Sequence, residues 1–328
     1  MELSSNELVD VLRAAGEPTR LRILALLRRE ELSVMELGQI LDQSQPRVSR
    51  HLKLLTEAGL VERFPDGAWV FYRLAADCAQ RNLAEQALSL LKSNEPILTR
   101  DLDRLGQVHQ ARAAEAAAYF ERNAARWDEV RSLYVDESEV ERAILAAAGQ
   151  GPFERMVDLG TGAGRMLTLL GGQARGALGL DLSQQMLNIA RRHVAEAGLA
   201  GCELRHGDIF ATGLQTGSAD LVVIHRVLHY LNDPAAAVAE AARLVSPQGQ
   251  LLIIDSAPHK LEHLRQAHQH RRLGFADDEI ERWCAEAGLP DVAISTLPPL
   301  HSEGLTVKVW SARSHREGPA LTIRRSAA

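Results

Sequence analysis

The stretch Met156-Val157-Asp158-Leu159-Gly160-Thr161-Gly162-Ala163-Gly164 constrains this chain more than any other. An apolar run ends in three glycines at alternate positions, and a helix is expected from Arg165. Glycine adopts backbone angles that other residues resist, and it lets a ligand approach bare backbone. The start of the following helix offers N–H groups without internal partners. A second apolar run, Ala177-Leu178-Gly179-Leu180, ends in Asp181. That acid follows the glycines by about 20 residues, where a nucleotide-binding α/β unit places a carboxylate for ribose hydroxyls. A tight strand-to-helix turn without a ligand would use the same residue types.

Three details favour the ligand. The pattern is Asp-x-Gly-x-Gly-x-Gly, not the Gly-x-Gly-x-x-Gly of dinucleotide folds. Asp158 precedes the glycines, where it can accept hydrogen bonds from a ligand ammonium. A third acidic turn, His206-Gly207-Asp208-Ile209, follows at the spacing of another βα unit. Together these resemble the class I S-adenosylmethionine (SAM)-dependent methyltransferases, over roughly residues 119–312.

The resemblance implies an α/β, Rossmann-like domain with a mainly parallel sheet and an antiparallel last strand. The apolar runs place strands at Met156–Leu159, Ala177–Leu180, Cys202–Arg205, Ala219–Ile224 and Gln250–Asp255. Val292–Leu297 and Leu305–Ala312 then pair antiparallel. SAM or S-adenosylhomocysteine (SAH) is the implied cofactor. Asp158, Gly160, Thr161, Gly162 and Gly164 suit its methionine end. Asp181, followed by Leu182, suits the ribose diol, and Met186 the adenine. Asp208 and Ile209 suit the adenine amino group and ring. Tyr119 and Trp127 fall on the stretch that covers the cofactor in similar enzymes, and each reads as a cofactor contact or as packing. His225 and Arg226 end the fourth strand, beside the transferred methyl in this fold. His225, His229 and Tyr230 are the candidate catalytic groups; the histidine at the strand end is either a general base or a wall of the pocket.

The first 92 residues carry different signals. Leu8, Val11 and Leu12 share one side of a short helix, Asn6–Ala15. Pro18 opens a second helix, and Ser33-Val34-Met35-Glu36 is a capping box that opens a third. A fourth helix runs from Gln45 to Ala58, with Val48, Leu52 and Leu55 facing inward. Ser44, Gln45, Arg47, Ser49, Arg50, His51 and Lys53 are its candidate DNA contacts. Residues 44–57 hold three Lys/Arg and one acid, while residues 1–74 hold ten against eleven. Positive charge is thus concentrated on the helix that would enter a major groove. Asp66-Gly67 between two apolar runs signals a hairpin, with Arg63 on its first strand as a further DNA contact, so helix-turn-helix followed by hairpin reads as a winged helix. Pro18–Leu24, Arg47–Leu55 and Ala58–Val61 together resemble the ArsR-type bacterial repressors. That resemblance implies a homodimer on double-stranded operator DNA, paired through the first and last helices. The last is expected over Ala79–Lys92, with Leu83, Ala87, Leu90 and Leu91 apolar. Many relatives sense metals through cysteines in the third helix; Val34-Met35-Glu36-Leu37 has none.

Residues 93–118 read as a helical connector joining the two domains or as a plain surface helix, and 313–328 as a flexible basic tail. The run from His259 to Phe275 reads as a solvated helix or a basic lid; His259 and His263 would lie one turn apart, the spacing of a metal pair, but no metal site is expected. The net charge of −6 restricts any DNA contact to a local basic face. Cys78, Cys202 and Cys284 show no Cys-x-x-Cys spacing and read as reduced thiols. Without an apolar run of about 18 residues or a leader pattern, a cytoplasmic protein with no membrane contact is expected.

The whole resembles bacterial ArsR–methyltransferase fusions. This implies a regulator that reads SAM or SAH as an effector, tied to methionine and methyl-group metabolism. The alternative is an active methyltransferase of a small-molecule acceptor that carries a DNA-binding arm. No acceptor-activating motif decides between them: the Asn/Asp-Pro-Pro-aromatic signature of amino-methylating relatives is absent after the fourth strand, as are clustered cysteines for arsenite.

Overall fold

A computed structural model describes residues 3–66, 68–76, 78–92, 94–123, 137–299 and 304–314. The chain divides into two compact units, Met1–Ala116 and Ala117–Ala328.

The first unit holds α1 (Ser5–Ala15), α2 (Pro18–Leu27), β1 (Leu32–Ser33), α3 (Val34–Leu41) and α4 (Gln45–Glu57). β2 (Val61–Asp66), β3 (Trp69–Leu74), α5 (Ala79–Ser89) and the first part of α6 (Pro96–Asn123) follow. Capping boxes start α1, through Ser4 and Glu7, and α3, through Ser33 and Glu36. Each satisfies two N–H groups that the helix itself cannot. β2 and β3 form an antiparallel hairpin with Asp66 opposite Trp69, and β1 adds a short strand to β3. Ile23, Leu37, Val48, Leu52, Leu55 and Leu60 are fully buried at the centre. α1 departs from expectation: only Val11 is buried, while Leu8, Val9 and Leu12 are exposed.

α6 is packed onto this unit along its first part. Leu105 is buried in the core, and Leu102 and Val108 lie against it. Ion pairs flank that apolar line. Arg22 clasps Asp101 with two bonds of 2.7 and 2.6 Å. Arg104 reaches Asp42 at 3.2 Å, His109 meets Glu30 at 2.9 Å, and Arg112 pairs with Glu36.

The second unit comprises α7 (Glu137–Ala148), β4 (Phe153–Leu159), α8 (Arg165–Leu170), β5 (Ala174–Asp181), α9 (Gln184–Glu196) and β6 (Cys202–His206). Then come β7 (Ala219–His225), a single turn at Leu228–Tyr230, α10 (Pro234–Leu244), β8 (Val245–Ser256), α11 (His263–His268), α12 (Asp277–Glu286), β9 (Asp291–Leu297) and β10 (Val307–Arg313). The seven strands are ordered β6-β5-β4-β7-β8-β10-β9. The first five are parallel, and β10 runs antiparallel to both β8 and β9. Helices cover both faces and give two cores, one around Val222, Ile224 and Trp310, the other around Leu221, Val223 and Ile144. Strands buried on both sides read as the near-continuous apolar runs seen in the sequence. The strand order reverses beside β4, so the crevice of this sheet opens at the carboxyl ends of β4 and its neighbours.

The run 259–275 is neither a solvated helix nor an open basic surface. Arg265, Arg271 and Arg272 are buried. Arg271 donates to Asn232 at 3.0 Å, and Arg272 spans both oxygens of Glu279 at 2.8 and 3.0 Å. α11 begins at His263, so His259 does not share a helical turn with it. Cys78, Cys202 and Cys284 are free thiols, and burial pushes Cys284 up to about 12. Among the described residues, no helix is long and apolar enough to cross a membrane.

Candidate functional site

Two sites stand out, one in each unit. In the first, α4 shows a split surface. Val48, Leu52 and Leu55 are buried, while Gln45, Arg47, Arg50 and Lys53 are exposed and Ser49 is half-buried. Ser44 is the exposed N-cap, yet its hydroxyl caps no N–H. Arg63 is exposed on β2. His51 differs from the other candidates. It is half-buried with Nδ1 3.5 Å from Glu17, and burial, with Arg20, Arg47 and Arg50 nearby, holds its imidazole below its ordinary range despite Glu17.

In the second unit, the turn after β4 is built on backbone that only glycine takes readily. Gly160, Gly162 and Gly164 have φ of +73°, +52° and +81°. The turn is also tight. A Cβ on Gly160 would stand 2.5 Å from Val227, and one on Gly164 would stand 3.0 Å from Ala190. The N–H groups of Gly160 and Thr161 both donate to the Leu180 carbonyl at 2.8 Å, tying the turn to the end of β5.

Two carboxylates close the arrangement. Asp181 accepts from the N–H of Gly162 at 2.8 Å on one oxygen and from that of Ser183 at 2.7 Å on the other. It caps no helix; Ser183 is the N-cap of α9, accepting from the Met186 N–H. Each oxygen of Asp181 keeps one further acceptor site. Burial raises its pKa against these hydrogen bonds. Asp158 is buried at 1% exposure, and its Oδ2 accepts from the Thr161 hydroxyl at 2.6 Å. Its Oδ1 is buried and has no hydrogen-bond partner among the described residues. Burial pushes this carboxyl up to about 7; the Thr161 bond opposes the shift and Asp181 adds to it. A buried carboxylate oxygen without a donor is costly, and a cationic ligand group would satisfy it.

The remaining predicted contacts are spread along the same sheet edge. Asp208, beyond β6, is exposed and accepts from the Phe210 N–H at 3.0 Å, closing a small turn instead of capping a helix. Ile209 is part of the core, and Met186 is buried. Leu182 and Phe210 are exposed apolar side chains beyond the adjacent ends of β5 and β6. Phe210 carries no sequence signal beyond its position two residues after Asp208. Trp127 lies outside the described residues.

Beyond β7, Arg226 takes a left-handed φ of +55°, unusual for a residue with a side chain. Its N–H donates to Ile254 at 2.7 Å and its guanidinium to Glu137 at 3.0 Å. Val227 then packs on Gly160, and His229 follows, buried, with Nδ1 2.8 Å from Asp255 Oδ1. Tyr230 is half-buried, and burial drives its phenol far above its ordinary range. Tyr119 is buried with its hydroxyl 2.7 Å from His268 Nδ1.

The profile for the arsR family of bacterial regulatory proteins matches residues 17–63, and that for a methyltransferase domain matches residues 157–253. The arsenic resistance transcriptional regulator ArsR1 of Pseudomonas putida is 36% identical over 99 residues, covering 30% of this chain and 77% of the relative. The chain belongs to the arsR family, joined to a methyltransferase domain. A ubiquinone biosynthesis O-methyltransferase of Methylococcus capsulatus is 30% identical over 151 residues, covering 41% of this chain and 62% of the relative. A 37.1 kDa protein of Streptomyces fradiae transposon TN4556 is 37% identical over 113 residues, covering 34% and 32%. The chain thus spans less than two thirds of these last two relatives. A chain of the solved complex between the Haloferax volcanii Trm112 methyltransferase activator and a methyltransferase aligns with a TM-score of 0.50 at 20% identity, covering 60% of this chain and 98% of that one. This likeness concerns the fold.

Within the arsR-type unit, the family match spans α2 to β2 and so includes α4. Within the methyltransferase domain, it runs from β4 into β8 and so includes the glycine turn, Asp181 and the Arg226–Tyr230 turn.

Proposed function

We propose that this protein is a DNA-binding transcription regulator whose methyltransferase domain takes SAM or SAH as an effector. The buried oxygen of Asp158 that has no partner among the described residues carries the reading. It lies beside backbone pinned by Asp181, where the ammonium of the methionine moiety would supply the missing donor. Asp181 would receive the ribose hydroxyls on its remaining acceptor sites, while Leu182 and Phe210 would wall the adenine near Asp208. The cofactor, when bound, supplies or records methyl-group state.

The exposed Arg47, Arg50 and Lys53 give α4 the charge of a recognition helix, with Arg63 on the hairpin as a second contact. A second copy of the chain would cover Leu8, Val9 and Leu12 of α1 and Leu90 beyond α5, which are exposed here. That pairing supports a homodimer on a two-fold operator; Leu12→Glu should then yield monomer in sedimentation. A cytoplasmic regulator linked to methionine and methyl-group metabolism fits this set. A second reading, methyl transfer to a small-molecule acceptor, is favoured by the buried His229–Asp255 pair, which ligand sensing does not require.

The test is a titration of the DNA upstream of the protein's own gene at fixed salt, without ligand, with SAM and with SAH. A ligand-dependent change of about tenfold, or about 1.4 kcal/mol, is expected. Tight DNA binding indifferent to both ligands would refute the effector role.

A further inference from the structure

The pair His229–Asp255 has the geometry of a base held by its orienting acid. Asp255 Oδ1 already accepts from the Ser256 N–H, so the tautomer that fits the 2.8 Å contact is the one in which His229 Nδ1–H donates to it. Nε2 is then the atom with the lone pair, and it makes no hydrogen bond among the described residues. The ring is fixed from several sides. The rings of Tyr230 and His270 lie 4.1 Å from it on centroid distances. The His229 carbonyl accepts from the N–H groups of Arg271 and Arg272 at 2.8 and 3.1 Å. Asp255 is itself oriented by the Ser256 N–H at 2.8 Å.

The placement matters as much as the pair. Val227, two residues before His229, packs against Gly160 of the glycine turn. β4, β7 and β8 are adjacent and parallel, so the glycine turn, His229 and Asp255 gather at one edge of the sheet. Arg226 opens this turn in a left-handed conformation that a residue with a side chain keeps only where the surroundings enforce it.

We propose that His229 is the proton acceptor for a phenolic methyl acceptor, with Asp255 as its positioning residue. The proposal rests on the reading that this domain holds SAM. A neutral amine brings its own lone pair, and a carboxylate is already ionised, so neither needs this base. An aliphatic hydroxyl gives its proton to imidazole only in concert with its own attack and does not accumulate as the anion. A phenol, with a pKa of about 10, is within reach. The half-buried rings of Tyr230, His268 and His270 offer faces and edges for a planar aromatic acceptor. In the balanced step, the acceptor O–H proton passes to His229 Nε2 and the oxygen lone pair forms the new O–CH3 bond. The S–CH3 bond breaks with its electrons returning to sulfur, leaving neutral SAH and a protonated imidazole that releases its proton to solvent.

The experiment uses the full chain saturated with SAH, with binding verified by calorimetry, and 4-nitrophenol and 4-nitrocatechol as chromogenic probes. It is run at a pH where either probe is neutral in buffer. At least tenfold more phenolate absorbance than buffer gives is expected. His229→Gln should abolish it, and Asp255→Asn should reduce it about tenfold at unchanged SAH affinity. The groups facing His229 are Asp255, Tyr230 and His270, with Arg226, His259, His268 and Tyr119 around them, so the pH profile is recorded for each variant. A purely structural pair would lower stability in the variants without changing phenolate per SAH-loaded molecule. SAH binding without phenolate in the wild type overturns the proposal alone. No SAH binding overturns the ligand reading and the proposal with it. If His229→Gln fails to fold, the wild type and Asp255→Asn still decide.

Discussion

Replacing Asp158 by Asn should make the ligand-free protein more stable and the liganded one weaker. Burial holds the Asp158 carboxyl near 7, against an ordinary value of 3.8. In the unfolded chain it ionises near 3.8. Between the two values the folded state keeps a proton that the unfolded state has lost. Stability contributed by this group therefore falls as pH rises through that window and levels off above about 7. Three pKa units correspond to roughly 4 kcal/mol at pH 8. Asn keeps an acceptor for the Thr161 hydroxyl and removes the charge. Urea unfolding of the ligand-free chain at pH 8 should show the variant more stable by several kcal/mol, with the gap closing by pH 4. SAM binding should move the other way. Losing a charge-assisted bond to the ligand ammonium costs about 1.5–3 kcal/mol, or roughly 10- to 150-fold in Kd. Calorimetry of the wild type at pH 6.5 should also detect proton release on binding, because the cation draws Asp158 into its charged form. A variant with wild-type SAM affinity and an unchanged pH–stability profile would refute the reasoning.

Asp181→Ala should abolish SAM binding, measured by calorimetry, and cost about 1–3 kcal/mol in stability because the Gly162 N–H loses its acceptor while the fold survives. Gly160→Ala should destabilise the methyltransferase domain by more than 1 kcal/mol and remove ligand binding, since its Cβ would collide with Val227 at a positive φ; thermal melting with and without SAH checks both. Arg50→Ala should weaken operator binding across sequences and lower the salt slope by about one, leaving SAM affinity unchanged. Fluorescence anisotropy at several salt concentrations reads that slope, and an unchanged value would move the DNA contact off α4.

The parallel sheet was legible because its central strands are buried on both faces and therefore apolar throughout, as in Leu221–Ile224 and Leu251–Ile254. The glycine turn and its acids were legible for a local reason: positive φ demands glycine, and a carboxylate at a strand end needs a partner. α7 went unread although Val140, Ile144 and Ala148 recur every four residues and are buried. Other features depend on partners distant in sequence. Asp255 and His229 are 26 positions apart, and only the order β7-β8 brings them together. An acid ending a fully apolar strand was the available sign. Arg265, Arg271 and Arg272 resemble a solvated charge run until Glu279, Asn232 and a backbone carbonyl are seen to receive them. Leu8 and Leu12 show the opposite failure, because helical period states that a face is apolar but not what covers it.

The contacts along α6 also decide where this chain can be cut. Glu36 is almost fully buried, and Arg112 is a cation held against it. The Glu30 carboxylate is likewise buried beside His109, and Asp101 beside Arg22. A fragment ending near residue 92 would strip both glutamates of these cations, strand Arg22 and bare the surface under Leu105. Removing one member of a buried ion pair commonly costs about 3–5 kcal/mol, comparable to the whole stability of a small domain. A fragment meant for operator footprinting or crystallisation with DNA should therefore run past Arg112, and limited proteolysis should spare Pro96 to Arg112.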